Sequence, residues 1–410
     1  MKTPDQQVGQ RRVFYIPGYD PIHPRRYREL YRTEGRAQAA ISGYDLTLRP
    51  KPRGETYGWR VTSQIEGGAV ETEIDVLVWS DIVRDSMSNS IPATYGQLVQ
   101  TAWTYISSGA LGGLMKLRKG PVIAALYPVG MLLLQALVAL FLAAGTGALA
   151  LWLTGPVLPG IAQVFVACMV GVMIVGVVLR WFRKKDNKFY AYYLMHDYSY
   201  SARWKGANPP ALEHRMAQFA DLIAAALTSD VDEVLVVGHS SGAHLGVSIL
   251  SDLHRSGRVP HNGPALSFLS LGQVVPMVSF LPAAERLRGD LTYLSRQDIP
   301  WIDVTAPGDG CAFALCDPVA VSGVAPPDQK WPLIVSAAFT QTLSPARWQE
   351  LRWQFFRLHF QYLCAFDRPG DYDYFRITAG PMTLGTRFAG RKPSASRITR
   401  AVSKFTSVPT

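Results

Sequence analysis

The stretch from Glu233 to Gly246, EVLVVGHSSGAHLG, decides the fold of this 410-residue chain. Four consecutive apolar residues are followed by Gly238, Ser240 and Gly242 in a G-x-S-x-G pattern, and then by small residues. An uninterrupted apolar run predicts a strand that is buried on both faces. The two glycines predict a turn too tight to accept side chains beside the serine. The stretch therefore predicts a buried strand, a sharp turn with Ser240 at its tip, and a helix.

The same alternation of strand and helix continues on both sides of this stretch. Short runs rich in apolar and β-branched residues predict strands, and runs with apolar residues at helical spacing predict helices. The predicted strands cover residues 12–16, 44–49, 59–64, 73–79, 233–237, 265–271, 301–305 and 332–338. The predicted helices cover residues 27–40, 209–227, 242–253 and 283–296, with a further one from residue 344. This order predicts the α/β class, with a mostly parallel sheet that carries helices on both faces.

The composition indicates a folded chain and limits the classes of partner that it could contact. Apolar residues make up 48% of the chain and charged residues 18%, which argues against a wholly disordered protein. Lysine and arginine outnumber aspartate and glutamate by 41 to 31, a balance typical of proteins that contact nucleic acid or an anionic membrane. The sequence has no motif of the known DNA- or RNA-binding modules, so we expect no nucleic-acid partner.

The four cysteines do not have the spacing of a disulfide framework or a zinc site. They occur at positions 168, 311, 316 and 364, without paired CxxC motifs or Cys/His ligand spacing. We therefore expect neither disulfide bonds nor a structural metal.

Residues 121–179 contain no Asp, Glu, Lys or Arg. A helix needs about 20 apolar residues to cross the hydrocarbon core of a bilayer, so this segment has room for two crossings. Glycine and proline cluster in residues 155–160, where the chain would turn. We predict membrane helices near residues 130–153 and 161–182. Two buried core helices of a soluble protein are the alternative, although so long an uncharged run is rare in soluble folds.

Basic residues flank the uncharged segment on both sides. They are Lys116, Arg118, Lys119, Arg180, Arg183, Lys184, Lys185 and Lys188. The connector between the two helices carries no charge, so the positive-inside rule places both ends of the hairpin in the cytoplasm. We expect a two-helix membrane protein, taken to lie in the bacterial inner membrane, that contacts membrane lipids through the hairpin and these basic residues. A hairpin that dips into one leaflet would carry the same flanking charges.

This orientation puts the segments before and after the hairpin on the same side of the membrane, where they can form one domain. We predict that residues 1–115 and 189–390 are the two parts of that domain and that residues 116–188 are the membrane hairpin. Residues 391–410 are basic and rich in Ser, Thr and Pro, which predicts a disordered tail. A solubilising role and attraction to an anionic leaflet both fit the tail. The first 20 residues lack an apolar core, so we predict no signal peptide.

The segment around Ser240 resembles the nucleophile turn of the α/β-hydrolase superfamily of serine hydrolases, in particular its esterases and lipases. A bare G-x-S-x-G pattern arises by chance about 0.2 times in a chain of this composition. A buried strand before it and a small-residue helix after it make the pattern more specific. The resemblance covers roughly residues 10–110 and 190–390, and it implies that an acid and then a histidine follow the serine along the chain. A glycine-rich turn that only packs the helix against the strand is the alternative.

Asp309 and His359 fit the acid and the base that the resemblance implies. His359 is the one histidine well beyond the Ser240 turn, and it lies in a segment dense in aromatic residues. Asp309 follows the predicted strand 301–305 in a Pro-Gly-Asp-Gly sequence that is typical of a turn. Asp317 is the second choice for the acid, and Asp303 would lie within the strand itself. An ordinary turn aspartate and a buried core histidine are the alternatives for these two positions.

The resemblance also implies two backbone amides that bind the oxyanion of a tetrahedral intermediate. The first is the amide of Ser241, the residue after the nucleophile. The second comes from the loop after the first strand, where Tyr19 is the expected donor and Gly18 allows the backbone to come close. A loop that only turns the chain is the alternative.

The activity that the resemblance implies is that of a membrane-anchored serine hydrolase, which cleaves a carboxylic ester through an acyl-enzyme. Ser240 would attack the ester, His359 would take up and return its proton, and Asp309 would orient the imidazole. We expect a lipid or acyl ester as substrate, because the hairpin would hold the site near acyl chains, and we expect no metal and no redox cofactor. Thioester cleavage and acyl transfer would use the same residues. A non-catalytic membrane scaffold or lipid-binding protein that keeps the fold is the second hypothesis.

Overall fold

The computed structural model describes residues 7–51, 56–87 and 90–409, and within these ranges the chain forms a mixed sheet of eight strands. The strands are β1 Gln10–Ile16, β2 Asp45–Pro50, β3 Tyr57–Ile65, β4 Gly68–Val76, β5 Glu233–His239, β6 Ala265–Leu271, β7 Trp301–Thr305 and β8 Leu333–Ser336. The first nine helices are α1 Arg25–Ser42, α2 Ser80–Ser86, α3 Ile91–Ser107, α4 Ala110–Met115, α5 Lys119–Thr154, α6 Gly160–Lys184, α7 Asp186–Phe189, α8 Ala191–Arg203 and α9 Pro210–Leu227. The later helices are α10 Gly242–Arg255, α11 Val275–Ser279, α12 Glu285–Leu294, α13 Pro318–Val321, α14 Phe339–Thr342, α15 Pro345–Leu351, α16 Phe355–His359, α17 Tyr374–Ala379 and α18 Leu384–Arg387, with a 3₁₀ turn at Gln361–Leu363.

The sheet is parallel except at one edge. Its strand order is β2-β3-β4-β1-β5-β6-β7-β8. The strands from β4 to β8 in this order pair in parallel, whereas β2, β3 and β4 pair antiparallel. Between β3 and β4, Glu66 and Gly67 both have positive φ, 52° and 79°, as a type I′ hairpin requires. The predicted α/β class with a mostly parallel sheet is confirmed, and the antiparallel edge adds to it.

The central strands bring the loops of the site to one edge of the sheet. All residues of β5 and of β7 are buried, so side chains cover both faces of the sheet there. Because β1, β5, β6 and β7 run parallel, their carboxyl ends at Ile16, His239, Leu271 and Thr305 lie at the same edge. The loops that follow these four strands therefore meet, as is usual for binding sites in α/β sheets.

Two helices, α5 and α6, are long and apolar enough to cross a membrane. α5 has 36 residues and a mean hydropathy of 2.1 over its most apolar window, and α6 has 25 residues and a mean hydropathy of 2.6. The predicted helices 130–153 and 161–182 lie within them. α5 begins earlier, at Lys119, and Pro121 is tolerated because the first turn of a helix needs no partner for its backbone nitrogens.

The chain divides into two compact units, and the sheet belongs to the first. The first unit consists of Met1–Arg84, Tyr105–Val122 and Trp204–Thr410, and the second of Asp85–Thr104 and Ile123–Arg203. In the second unit, buried residues of α3, α5 and α8 pack together: Leu98, Leu132, Ala191, Tyr192 and Met195. The second unit is therefore larger than the hairpin predicted at 116–188, because two further helices pack against the first half of α5.

The carboxyl-terminal tail contacts the rest of the chain. In its described part, residues 391–409, it forms no helix and a single isolated β-bridge, between Ile398 and Cys316. The buried guanidinium of Arg288 donates a hydrogen bond of 2.8 Å to the carbonyl oxygen of Ser407. A buried charge needs hydrogen-bond partners. Arg288 thus gives the tail a fixed point of contact that its composition does not reveal.

Candidate functional site

Ser240 lies at the tip of a strained turn between β5 and α10. Its φ is +57°, in the left-handed region that residues with a side chain rarely adopt. A Cβ on Gly242 would collide with the carbonyl oxygen of Ile16, and a Cβ on Gly238 would lie 2.6 Å from the carbonyl oxygen of Gly242. Both glycines of the pattern are therefore required by the close contact of α10 with β5 and β1.

The loop after β1 passes directly beside the serine. A Cβ on Gly18 would lie 3.0 Å from the Cβ of Ser240 and 3.4 Å from its Oγ, so only glycine lets the backbone come this near without displacement. Asp20 anchors the loop, because its carboxylate accepts hydrogen bonds from the Tyr27 hydroxyl at 2.5 Å and from Nη1 of Arg26 at 2.9 Å. Gly18 and its anchored loop therefore lie directly against the side chain of Ser240.

The two residues predicted to supply amide donors lie next to the serine. Ser241 follows Ser240 and is the N-cap residue of α10, a helix of 14 residues whose N-terminus favours negative charge. Tyr19 follows Gly18, and its buried ring packs edge-on against Trp79 with 6.1 Å between the ring centroids. The packing of its ring fixes the position of Tyr19 in the loop.

Asp309 is a buried carboxylate with three hydrogen-bond donors. It follows β7, and its Oδ2 accepts from His359 Nδ1 at 2.8 Å and from the Tyr362 hydroxyl at 3.0 Å. Its Oδ1 accepts from the backbone nitrogen of Cys311 at 2.8 Å. Burial on its own would raise the pKa of Asp309, but the His359 imidazole and these donors hold that pKa below its usual range. Asp309 therefore stays ionised while it is bonded to His359.

The other two candidate acids serve the fold elsewhere. Asp303 lies within β7 and accepts a hydrogen bond of 2.5 Å from the Ser270 hydroxyl, and burial raises its pKa to about 8. Asp317 caps α13 by accepting from the backbone nitrogens of Val319 at 2.9 Å and Ala320 at 3.1 Å. Of the three aspartates, Asp309 is the one that is hydrogen-bonded to His359.

His359 lies beside the serine turn at the carboxyl end of β6. The backbone nitrogen of Ser240 donates to the carbonyl oxygen of Leu271 at 2.9 Å. A Cβ on the next residue, Gly272, would lie 3.1 Å from Cε1 of His359, so the imidazole rests against this glycine. The hydrogen bonds of the described residues join His359 to Asp309 but not to Ser240.

Two residues that the sequence did not single out hold this arrangement in place. The Tyr362 hydroxyl accepts from the backbone nitrogen of Ala306 at 3.0 Å while it donates to Asp309. His239 packs its ring 4.9 Å from that of His359, and its Nε2 lies 3.1 Å from the carbonyl oxygen of His359. Burial lowers the pKa of His239 to about 3, so its imidazole is neutral and Nε2–H can donate this bond. His239 is the variable residue of G-x-S-x-G, and Tyr362 lies in the aromatic segment around His359.

The side chains of Asp309, Cys311 and His359 could also hold a metal ion. Their donor atoms all lie within 4.8 Å of one another, and Cys311 is partly exposed. The thiol belongs to the turn that also carries the carboxylate.

No known protein family, curated protein or solved structure matches the chain.

Proposed function

We propose that this protein is a serine hydrolase that cleaves a carboxylic ester through an acyl-enzyme on Ser240. One observation carries the proposal. The buried Asp309 and His359, joined by a hydrogen bond of 2.8 Å, lie beside the strained Ser240 turn at the carboxyl edge of the sheet. A strained backbone is costly and is retained where the surroundings enforce it, which is common at functional sites. A buried carboxylate bonded to an imidazole is what activation of a serine requires.

The proposed reaction has two steps with the same residues. Nε2 of His359 takes the proton of the Ser240 hydroxyl as its oxygen attacks the ester carbonyl, and then gives that proton to the departing alcohol. Water attacks the acyl-enzyme in the second step, with His359 again as base. Asp309 keeps the Nδ1–H tautomer in place and stabilises the imidazolium, because its carboxylate is ionised and buried beside it.

Backbone amides at the serine would stabilise the oxyanion of each tetrahedral intermediate. The amide of Ser241 begins α10, whose helix dipole favours negative charge at this point. The amide of Tyr19 is the proposed second donor, because Gly18 brings its loop to van der Waals distance of Ser240. Each such donor is typically worth about 2.7–4 kcal/mol in the transition state.

We propose that α5 and α6 anchor the enzyme in a membrane and that the substrate is a lipid or another acyl ester. Both helices have the length and hydropathy for a crossing, and the basic residues at 116–119 and 180–188 favour the cytoplasm for both ends of the hairpin. This orientation places the sheet on the cytoplasmic side, in our proposal that of the bacterial inner membrane. Thioester cleavage or acyl transfer would use the same serine, histidine and aspartate.

A non-catalytic lipid-binding scaffold is the second candidate. The observation that favours it is the lack of a hydrogen bond between His359 and Ser240 among the described residues. In a scaffold the serine turn would survive for packing alone, since both of its glycines are required by the contact of α10 with the strands.

A fluorophosphonate probe distinguishes the two candidates, because it reacts covalently with activated serines. We expect the detergent-solubilised full chain to be labelled and Ser240→Ala to lose the label. Ser256→Ala is the matched control, since Ser256 lies at the other end of the same helix, α10. His359→Ala should label far more slowly. A folded wild type that never labels, or a label that survives in Ser240→Ala, would refute the proposed enzyme.

A further inference from the structure

The turn after β7 carries three different metal-binding atoms in one place. The carboxylate of Asp309, the thiol of Cys311 and the imidazole of His359 lie within 4.8 Å of one another. Cys311 is not in a disulfide and is partly exposed, whereas Asp309 and His359 are buried. Cys311 is therefore the most exposed member of the group.

The backbone of this turn explains why the Cys311 thiol lies near the Asp309 carboxylate. The backbone nitrogen of Cys311 donates to Oδ1 of Asp309 at 2.8 Å, and this bond closes the Asp-Gly-Cys turn. The middle residue, Gly310, has no side chain, and a Cβ there would lie 3.2 Å from the ring of Phe355 in the helix that ends with His359. The turn and α16 thus hold the backbone of Cys311 and the imidazole of His359 at the same carboxylate, and the thiol lies within 4.8 Å of both ligand atoms.

We propose that Asp309, Cys311 and His359 also form a site for a thiophilic divalent cation such as Zn²⁺, and that the bound ion switches the hydrolase off. The second half of this inference rests on the proposed function. Zinc takes sulfur, imidazole nitrogen and carboxylate oxygen as ligands in tetrahedral sites, and three protein ligands leave the fourth position to water. Neighbouring ligand atoms in such a site lie about 3.3–3.7 Å apart. The Cys311 thiol must therefore move closer by up to about 1 Å, and the Nδ1–Oδ2 pair, now 2.8 Å apart, must open by about 0.5 Å.

Binding the ion and activating the serine exclude each other. On binding, the Cys311 thiol loses its proton to solvent, because the thiolate is the ligand. The ion takes the lone pair of His359 Nδ1, the atom that faces Asp309 at 2.8 Å. The imidazole proton then moves from Nδ1 to Nε2, since a neutral imidazole carries one proton. An Nε2 that already carries a proton cannot accept the proton of Ser240.

The first test measures binding without any activity. When Cd²⁺ is added to the purified full chain, the ultraviolet absorption band of a cadmium–thiolate bond should appear and should saturate at one equivalent of Cd²⁺. Zn²⁺ should displace the Cd²⁺ and remove the band. Cys311→Ser should remove the band and weaken Zn²⁺ binding at least about tenfold. Substitutions of residues that only support metal ligands already lower metal affinity by about 10–100-fold. Asp309→Asn should weaken binding too. Cys168→Ser is the matched control, because Cys168 is an exposed thiol in α6.

The second test connects the ion to the serine. Zn²⁺ should slow fluorophosphonate labelling of wild type and of Cys168→Ser, and a chelator should restore it. The ratio of labelling rates with and without Zn²⁺ should return towards one in Cys311→Ser. A band or a Zn²⁺ sensitivity that persists in Cys311→Ser, or binding that does not saturate at one equivalent, would overturn the site. If the band behaves as expected but wild type never labels, the metal site stands and the proposed hydrolase fails.

Discussion

Tyr362→Phe tests whether the donors around Asp309 hold the site together. The substitution keeps the ring, whose centroid lies 4.9 Å from that of Phe339, and removes only the hydroxyl. Asp309 then loses one of its three donors, and the backbone nitrogen of Ala306 loses its acceptor. A hydrogen bond to a charged group contributes about 1.5–3 kcal/mol, so we expect the free energy of unfolding to fall by about 2 kcal/mol.

The same change should slow the proposed reaction. A carboxylate held by fewer donors positions the imidazole less well, and a loss of about 1.4 kcal/mol in the transition state corresponds to a tenfold lower rate. Denaturant unfolding in detergent and the rate of fluorophosphonate labelling measure the two effects separately. Tyr31→Phe is the control, because Tyr31 is a buried tyrosine whose hydroxyl bonds to the neutral Thr378 hydroxyl at 2.9 Å.

We expect Tyr31→Phe to cost about 0.5–1.5 kcal/mol of stability, as a neutral hydrogen bond does, and to leave labelling unchanged. A Tyr362→Phe variant with wild-type stability would show that the bond to Asp309 contributes nothing. If the variant loses stability but labels at the wild-type rate, Tyr362 supports the fold and has no part in positioning His359.

Three further predictions concern the fold around the site. Gly242→Ala should lower the stability measured by thermal unfolding by at least about 1–3 kcal/mol, because the new Cβ would collide with the carbonyl oxygen of Ile16. Gly96→Ala is the control: its Cβ would meet nothing within 4 Å, so this variant should be neutral or stabilising. The raised pKa of Asp303 means that the folded state holds a proton which the unfolded state releases, so stability should fall as pH rises from about 4 to about 8, by up to about 1.4 kcal/mol per pH unit. Asp303→Asn should abolish this slope, and a slope that stays unchanged would refute the assignment. Arg288→Met should free the tail, seen as faster proteolysis between 391 and 409, because Ser407 loses its buried partner.

The elements predicted best from sequence were those with an unbroken apolar run. The predicted strands 265–271 and 301–305 coincide with β6 and β7, and the predicted helix 209–227 differs from α9 by one residue. The predicted strand 73–79 is displaced, since β4 runs from Gly68 to Val76. Its pairing starts at the Glu66-Gly67 turn, and the position of this turn depends on the register with β3 more than on local hydrophobicity.

The residues of the candidate site also fall into those that the sequence predicted and those that depend on contacts between distant segments. The tight glycine turn brought out Ser240 as a local signal, whereas Asp309 and His359 followed from the resemblance to the hydrolase superfamily, which implies an acid and then a histidine after the serine. The sequence ranked Asp309 before Asp317 as the acid, but which of the two reaches the imidazole depends on how the loops fold. It also missed Tyr362 and the neutral His239, whose contacts with Asp309 and His359 join segments far apart in the chain.

The sequence by itself determined the strained serine turn, the parallel core of the sheet and the two long apolar helices. Each of these follows from neighbouring residues, through the need to bury apolar runs and to avoid side chains at a tight bend. Only the tertiary structure decided that Asp309 bonds to His359 and that the tail lies on Arg288. Those outcomes depend on contacts between distant segments, where burial and hydrogen bonding select one partner among several of the same residue type.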